Sequence, residues 1–157
     1  MDIKLDETDL YILELLQENG RIRQSELASI IKLSEPSLSD RLRKLEEKKI
    51  IEKYFAKINA KLLGKDITAF IEVKVDSSKH YPNFIKQVNA SEEILECHAV
   101  TGNASHLLKV RTDNTNSLER LLAKIQTWSG ITQTMTSVVL STTKETMKVS
   151  VHTNSRQ

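Results

Sequence analysis

Apolar positions follow a helical period three times within the first fifty residues, then switch to strand-like alternation. Ile12, Leu13 and Leu16 make the first stripe. Asp6 stands where an N-cap belongs, Asp9 at the third helical position, and Leu5 and Leu10 have hydrophobic-staple spacing. Asn19-Gly20 predicts the stop, with Gly20 free to take a positive φ. A second short helix is predicted from about Gln24 to Ile31, with Leu27, Ala28 and Ile31 on one face. The third follows after only Lys32-Leu33. Ser34 is a good N-cap, and Pro36 falls in the first turn, where its missing N–H costs nothing. Leu38, Leu42 and Leu45 lie at i, i+4 and i+7 and should face a core. The opposite side carries Ser37, Ser39, Asp40, Arg41, Arg43, Lys44 and Lys48. Residues 50–58 alternate, which predicts the strands of a wing.

Two short helices joined by a tight turn, the second with a polar and basic outer face, predict a helix-turn-helix. In that motif the second helix enters the major groove, with its N-terminal residues at the base edges. The expected DNA-contacting set is Ser34, Glu35, Pro36, Ser37, Ser39, Asp40, Arg41, Arg43, Lys44 and Lys48, with Lys53 and Lys57 on the wing. Short hydroxyl side chains allow close approach, Arg41 can reach guanine or phosphate, and Lys44 and Lys48 suit phosphates. Periodicity by itself also fits a three-helix interaction domain that never touches DNA.

The rest of the chain predicts an α/β unit. Residues 62–66 read as a short connector and 67–75 as a strand. A helix is expected over 81–90, strands over 94–101 and 107–111, and a turn at Gly102-Asn103. Asn116 and Glu119 have capping-box spacing before a helix carrying Leu118, Leu121, Leu122, Ile125 and Trp128. Gly130 ends it, and 131–140, rich in Thr and Val, is the last strand. The order β-α-β-β-α-β is a ferredoxin-like split unit. The fold class is therefore α+β, a winged helix-turn-helix over 1–60, a linker over 61–66 and a ferredoxin-like domain over 67–142. Residues 143–157 are left as an extra strand or a tail. Apolar residues on both strand parities, such as Ala69, Ile71 and Val73 against Phe70, predict a sheet face buried on another subunit.

Charge sharpens this reading. The net charge is only +2. Yet residues 1–20 hold Lys4 against six acids, whereas residues 41–61 hold eight bases against three acids. A local basic cluster is what phosphate binding requires. No apolar run approaches the roughly 20 residues that span a bilayer, so no membrane association is expected. The first residues lack a signal-peptide pattern, and Cys97 stands alone, which excludes an intrachain disulfide framework and a Cys-based zinc site. These features predict a cytoplasmic, nucleoid-associated protein.

The stretch Leu5-Asp6-Glu7-Thr8-Asp9-Leu10-Tyr11-Ile12-Leu13 is followed by Asn19-Gly20-Arg21, Glu26-Leu27-Ala28 and Leu33-Ser34. Arg41-Leu42-Arg43-Lys44-Leu45-Glu46 and Ile50-Ile51 complete the set. In this order it resembles the opening of the Lrp/AsnC family of bacterial and archaeal regulators, and the resemblance extends over residues 2–142. It implies homodimers, often octamers, that bind double-stranded DNA, and amino-acid effectors held between dimers. It places the effector loop at Thr101, Gly102, Asn103, Ala104 and Ser105, with Thr134 and Thr136 on the last strand. Two departures stand out. Lys32 and Lys49 occupy positions where many members have glycine, and each costs about 1 kcal/mol if its φ is positive. Ser105 stands where many members carry an acid, and a neutral hydroxyl cannot ion-pair with an ammonium. A different effector, or a plain hairpin turn with none, stays open at this point.

No enzyme is expected. The sequence lacks a phosphate-binding Gly-rich loop, a metal pair on a helix and a nucleophile elbow, so no cofactor, metal or catalytic residue is implied. Cys97 and His98 are neighbours on a strand and point to opposite faces. His80, His106 and His152 have no partner visible in sequence. Three functions remain: a sequence-specific regulator with a sensing domain, a ligand-independent architectural DNA protein that bends or wraps DNA, and a small-molecule-binding metabolic protein. The basic third helix and wing argue against the last.

Overall fold

A computed structural model describes residues 4–151; Met1 to Ile3, His152 and the remainder of the tail lie outside the described residues. The chain forms two compact units. One comprises the residues up to Lys57 together with those from Glu145 onward, and the other is Ile58–Lys144.

The first unit holds three helices, α1 (Glu7–Glu18), α2 (Gln24–Ile31) and α3 (Glu35–Glu47). Asp6 caps α1 in a reciprocal box with Asp9, as the spacing predicted. The expected role of Gly20 is corrected. It has no positive φ; instead the chain leaves α1 through an extended Asn19, whose N–H still donates to the Leu15 carbonyl. The turn between α2 and α3 does use a left-handed residue. Lys32 has φ 57° and donates back to Ala28 and Ser29. Lys49, just past α3, has φ 55°. Both lysines therefore sit where a Cβ is crowded by the backbone, at the two sites the sequence singled out. Ser34 caps α3, its hydroxyl accepting from the Ser37 N–H at 3.4 Å. Ile12, Leu13, Leu27, Ala28, Leu38, Leu42 and Leu45 form the core, with Ile22, Ile31, Ile50, Ile51 and Val151 packed against it.

Two expectations change in this unit. The predicted wing strands are not formed among the described residues. Residues 52–58 run without ladder partners, and Tyr54, Phe55 and Ile58 are exposed. Alternation is a local signal and does not supply the strand that a ladder needs as its partner. Residues 143–151, the described part of the tail, form no added strand either. This part docks on α1. The Gln17 side-chain amide donates to the Val149 carbonyl at 3.0 Å, and its oxygen accepts the Val149 N–H at 2.7 Å. Lys148 pairs with Glu18, and Lys57 with Glu145 at 3.4 Å.

The second unit is a four-stranded antiparallel sheet in the order β2-β3-β1-β4. The strands are β1 (Ile67–Val75), β2 (Ile94–Ala99), β3 (His106–Thr112) and β4 (Ile131–Val138), with α4 (Tyr81–Asn89) and α5 (Thr115–Gln126) between them. This is the βαββαβ order expected. Ala69, Ile71, Val73 and Val75 of β1 and Leu108 and Val110 of β3 meet Phe84, Val88, Leu118, Leu121, Ile125 and Trp128 in one core. The expected α5 cap is corrected. The capping box is Asn114 with Ser117, so the helix starts earlier and Asn116 lies inside its first turn. Asn114 wins because its backbone is extended there, which frees its side chain to accept the Ser117 N–H at 3.0 Å. The other sheet face mixes Phe70, Leu107 and Met135 with Glu72 and Lys109, paired across the ladder. Phe70 and Met135 are exposed in the protomer.

Candidate nucleic-acid interface and effector loop

The geometry of α3 follows from its leucines. Leu38, Leu42 and Leu45 are buried, which turns Ser37, Ser39, Arg43, Lys44 and Lys48 to the open side. The first turn, Glu35, Pro36 and Ser37, is exposed, and no large side chain blocks its approach to a surface. Asp40 lies among the cations. It accepts from Arg43 Nη2 at 2.5 Å and pairs with Lys44 Nζ at 2.6 Å, and these contacts, led by Lys44, hold its carboxyl below the usual range. Arg43 also reaches Glu47 at 2.7 Å. Exposed pairs of this kind are weak and exchange readily for other anions. A phosphate can therefore replace a carboxylate on Arg43 and Lys44 without unfolding anything. Lys48 is exposed and has no ion pair among the described residues.

Three of the expected contact residues have partners within the protein. Arg41 was expected on base or phosphate, but its guanidinium turns to α1, with Nη1 2.7 Å from both Asp6 Oδ2 and Asp9 Oδ1. Lys53 lies over the Phe55 ring, 5.8 Å from its centroid. Lys57 is held by Glu145 through the carboxylate and through the backbone carbonyl at 3.1 Å. The segment carrying them is tied to α3 by Tyr54, whose hydroxyl donates to Glu46 at 3.1 Å. Burial first, then the Glu46 carboxylate, push that phenol up to about 12, so it stays a donor throughout the neutral range.

The loop between β2 and β3 is a turn built round Gly102, at φ 116°. Thr101, Gly102 and Asn103 are exposed, whereas Ala104 and Ser105 are half-buried. Ser105 is already committed. Its hydroxyl donates to the Val73 carbonyl and accepts the Val75 N–H, each at 3.0 Å, while its own N–H also reaches Val73. It is also 3.0 Å from His106 Nδ1. One hydroxyl hydrogen serves Val73, so the imidazole must be the donor in that contact. His106 is buried against Tyr81 and Phe84, with ring centroids 5.0 and 4.6 Å away, and burial lowers its pKa. A lone histidine without a partner in the sequence is more often structural, and His106 is a core residue. The signal was present, since positions 106, 108, 110 and 112 alternate with 107, 109 and 111.

Thr134 and Thr136 stand opposite Val73 and Ile71 on β4. The loop joins β1 through β3, on the other side of that strand. Two strand spacings, about 10 Å, therefore separate the loop from Thr134 within one protomer. A single copy does not bring the two sets into contact. A groove of about 190 Å³, lined by Lys65, Glu93, Asp113, Ser117, Arg120 and Lys124 among others, opens at the opposite strand ends from the loop. Among the described residues there is no cluster of three metal-ligating side chains, and no helix is long and apolar enough to cross a membrane. Cys97 is half-buried, and burial raises its thiol pKa; it shares a face with Leu108, while His98 lies opposite Leu107.

Comparison with known proteins matches both units. A family model described as winged helix-turn-helix DNA-binding covers residues 5–52, and one described as Lrp/AsnC ligand binding domain covers residues 68–149. The HTH-type transcriptional regulator FL11 of Pyrococcus abyssi is 34% identical over 151 residues, which cover 96% of this chain and 99% of that protein. The leucine-responsive regulatory protein of Salmonella typhimurium is 32% identical, with 95% and 93% covered. Among solved structures, a Neisseria meningitidis transcriptional regulator in complex with L-methionine superposes with a TM-score of 0.88. It shares 30% identity, and the match covers 93% of this chain and 96% of that one.

Proposed function

Because the chain belongs to the Lrp/AsnC family of transcriptional regulators, we propose that it binds operator DNA as a homodimer or a higher oligomer of dimers, with α3 in the major groove. The observation that supports this most is the exposed N-terminal half of α3, held outward by three buried leucines. Ser34, Glu35, Pro36, Ser37 and Ser39 would approach base edges, and Arg43, Lys44 and Lys48 would meet phosphates. Lys53 and Lys57 would follow the backbone beside them. The apolar residues on the open sheet face, Phe70, Leu107 and Met135, support a second copy of the chain as the cover for that face.

An amino-acid effector is the second part of the reading. The Neisseria relative holds L-methionine, and the loop at 101–105 would contribute here together with Thr134 and Thr136 of a neighbouring copy. With Ser105 engaged by Val73 and Val75, backbone groups of Thr101 to Ala104 are left to meet a zwitterion. Genomic fragments selected on the protein at fixed salt, then gel-shifted with and without a panel of amino acids, test both parts. Discrete sites whose occupancy responds to one amino acid support a sensor. Ligand-blind binding to curved or generic DNA would favour the architectural reading.

A further inference from the structure

α1 and α3 are joined by a network in which every carboxylate oxygen has one task. Asp6 Oδ1 accepts the Asp9 N–H at 2.8 Å, and Asp9 Oδ2 accepts the Asp6 N–H at 3.3 Å, which closes the cap of α1. The two oxygens left over, Asp6 Oδ2 and Asp9 Oδ1, both take Arg41 Nη1 at 2.7 Å. The Arg41 side chain is 30% exposed, against 57% for Arg43 and 58% for Lys44 on the same helix. Its carboxylate partners are 53% and 17% exposed, so Asp9 at least is well shielded from competing ions. The neighbouring cations hold exposed partners within their own helix, three or four residues away. Among the described residues, Arg41 is the one cation of α3 seen to reach across to another helix, over 35 and 32 residues of chain.

We infer that Arg41 is a positioning residue for the reading helix, which clamps the middle of α3 to the capped first turn of α1 and sets the angle at which α3 meets DNA. A single guanidinium nitrogen whose two N–H groups each meet a different carboxylate fixes distance and direction, which apolar contacts between helices do less sharply. The cap and the clamp are built on the same two side chains, so the start of α1 and the placement of α3 are specified together. Lys44, four residues from Asp40, has no such cross-helix anchor and stays available to phosphate.

This inference rests on the reading that α3 binds DNA, and its test separates the two. The measurements are specific affinity for a fragment selected on the wild-type protein, affinity for sonicated heterologous DNA of equal length, and the salt slope of each. The variants are Arg41→Ala, the pair Asp6→Asn with Asp9→Asn, the triple variant, and Lys44→Ala. Asparagine keeps the cap of α1 but removes the charges that hold Arg41. We expect Arg41→Ala and the asparagine pair each to lower the ratio of specific to non-specific affinity about tenfold. The triple variant should be no worse than either. The salt slope should be unchanged by Arg41→Ala, but reduced by about one in Lys44→Ala. A slope reduced by about one in Arg41→Ala, with wild-type affinity or better in the asparagine pair, would show Arg41 on phosphate and overturn the clamp. Wild-type ratios in both variants would overturn it as well. If Arg41→Ala fails to fold, the asparagine pair decides alone. A wild-type protein that binds neither DNA defeats the DNA reading itself, and the clamp is then scored as non-additivity of the same substitutions in the urea midpoint.

Discussion

Lys32 and Lys49 carry the clearest cost at the scale of single residues. Each holds a left-handed backbone, φ 57° and 55°, at a helix end where glycine would be unstrained. Lys32 makes the turn between α2 and α3, and Lys49 starts the chain away from α3, so both positions shape the element that is read as meeting DNA. Lys32→Gly and Lys49→Gly should each stabilise the helical unit by about 1 kcal/mol, measured by urea unfolding. A loss of stability in either would mean that its stem packs usefully. Ser105 shows the opposite economy. A residue that the family pattern marks for a ligand is consumed by three backbone and side-chain contacts within the fold. The left-handed turns were legible in the sequence as places where a glycine was missing. The commitment of Ser105 was not, because its partners lie on β1, some thirty positions earlier.

Among elements, the least legible is the returning tail. The residues of the second unit intervene between α1 and Val149, yet Gln17 grips that residue through both its N–H and its carbonyl. No local pattern announces such a contact; Met147, Val149 and Val151 read equally well as a strand or as a loose end. The caps tell the converse. Asp6 with Asp9, and Ser34 ahead of Pro36, were read correctly because a cap and its partner are three residues apart. The α5 cap was misplaced because Asn114 and Asn116 both offer a capping side chain, and only the backbone conformation chooses. Likewise, alternation over residues 50–58 predicted strands without supplying a pairing partner, and no ladder forms there. The tail is testable as an element. Gln17→Ala should destabilise the helical unit by about 1–2 kcal/mol, and removal of residues 145–157 by at least as much. Hydrogen exchange at the amides of α1 reads this directly. Unchanged protection in the truncated chain would show that the strap adds nothing to α1.

The whole molecule joins a winged helix-turn-helix unit to one that matches the Lrp/AsnC ligand binding domain, and the charges segregate within the first of them. Of the acids in the first twenty residues, Asp6 and Asp9 serve the cap and clamp of α1 and Glu18 pairs with Lys148, while the bases of residues 41–57 lie on α3 and the segment after it. A dimer of the kind proposed would present two copies of α3 at once, and a neighbouring copy would be needed for the loop at 101–105 to meet Thr134. Such a dimer would read DNA through α3 with twofold symmetry. Footprinting at single-nucleotide resolution on a selected genomic fragment, at several salt concentrations, tests it most directly. Two protected half-sites are expected, centred about one helical turn apart or a multiple of that, with affinity falling steeply as salt rises. Protection should be lost when Ser37 and Lys44 are replaced together by alanine and glutamate. An asymmetric footprint, or one that survives those substitutions, would contradict it.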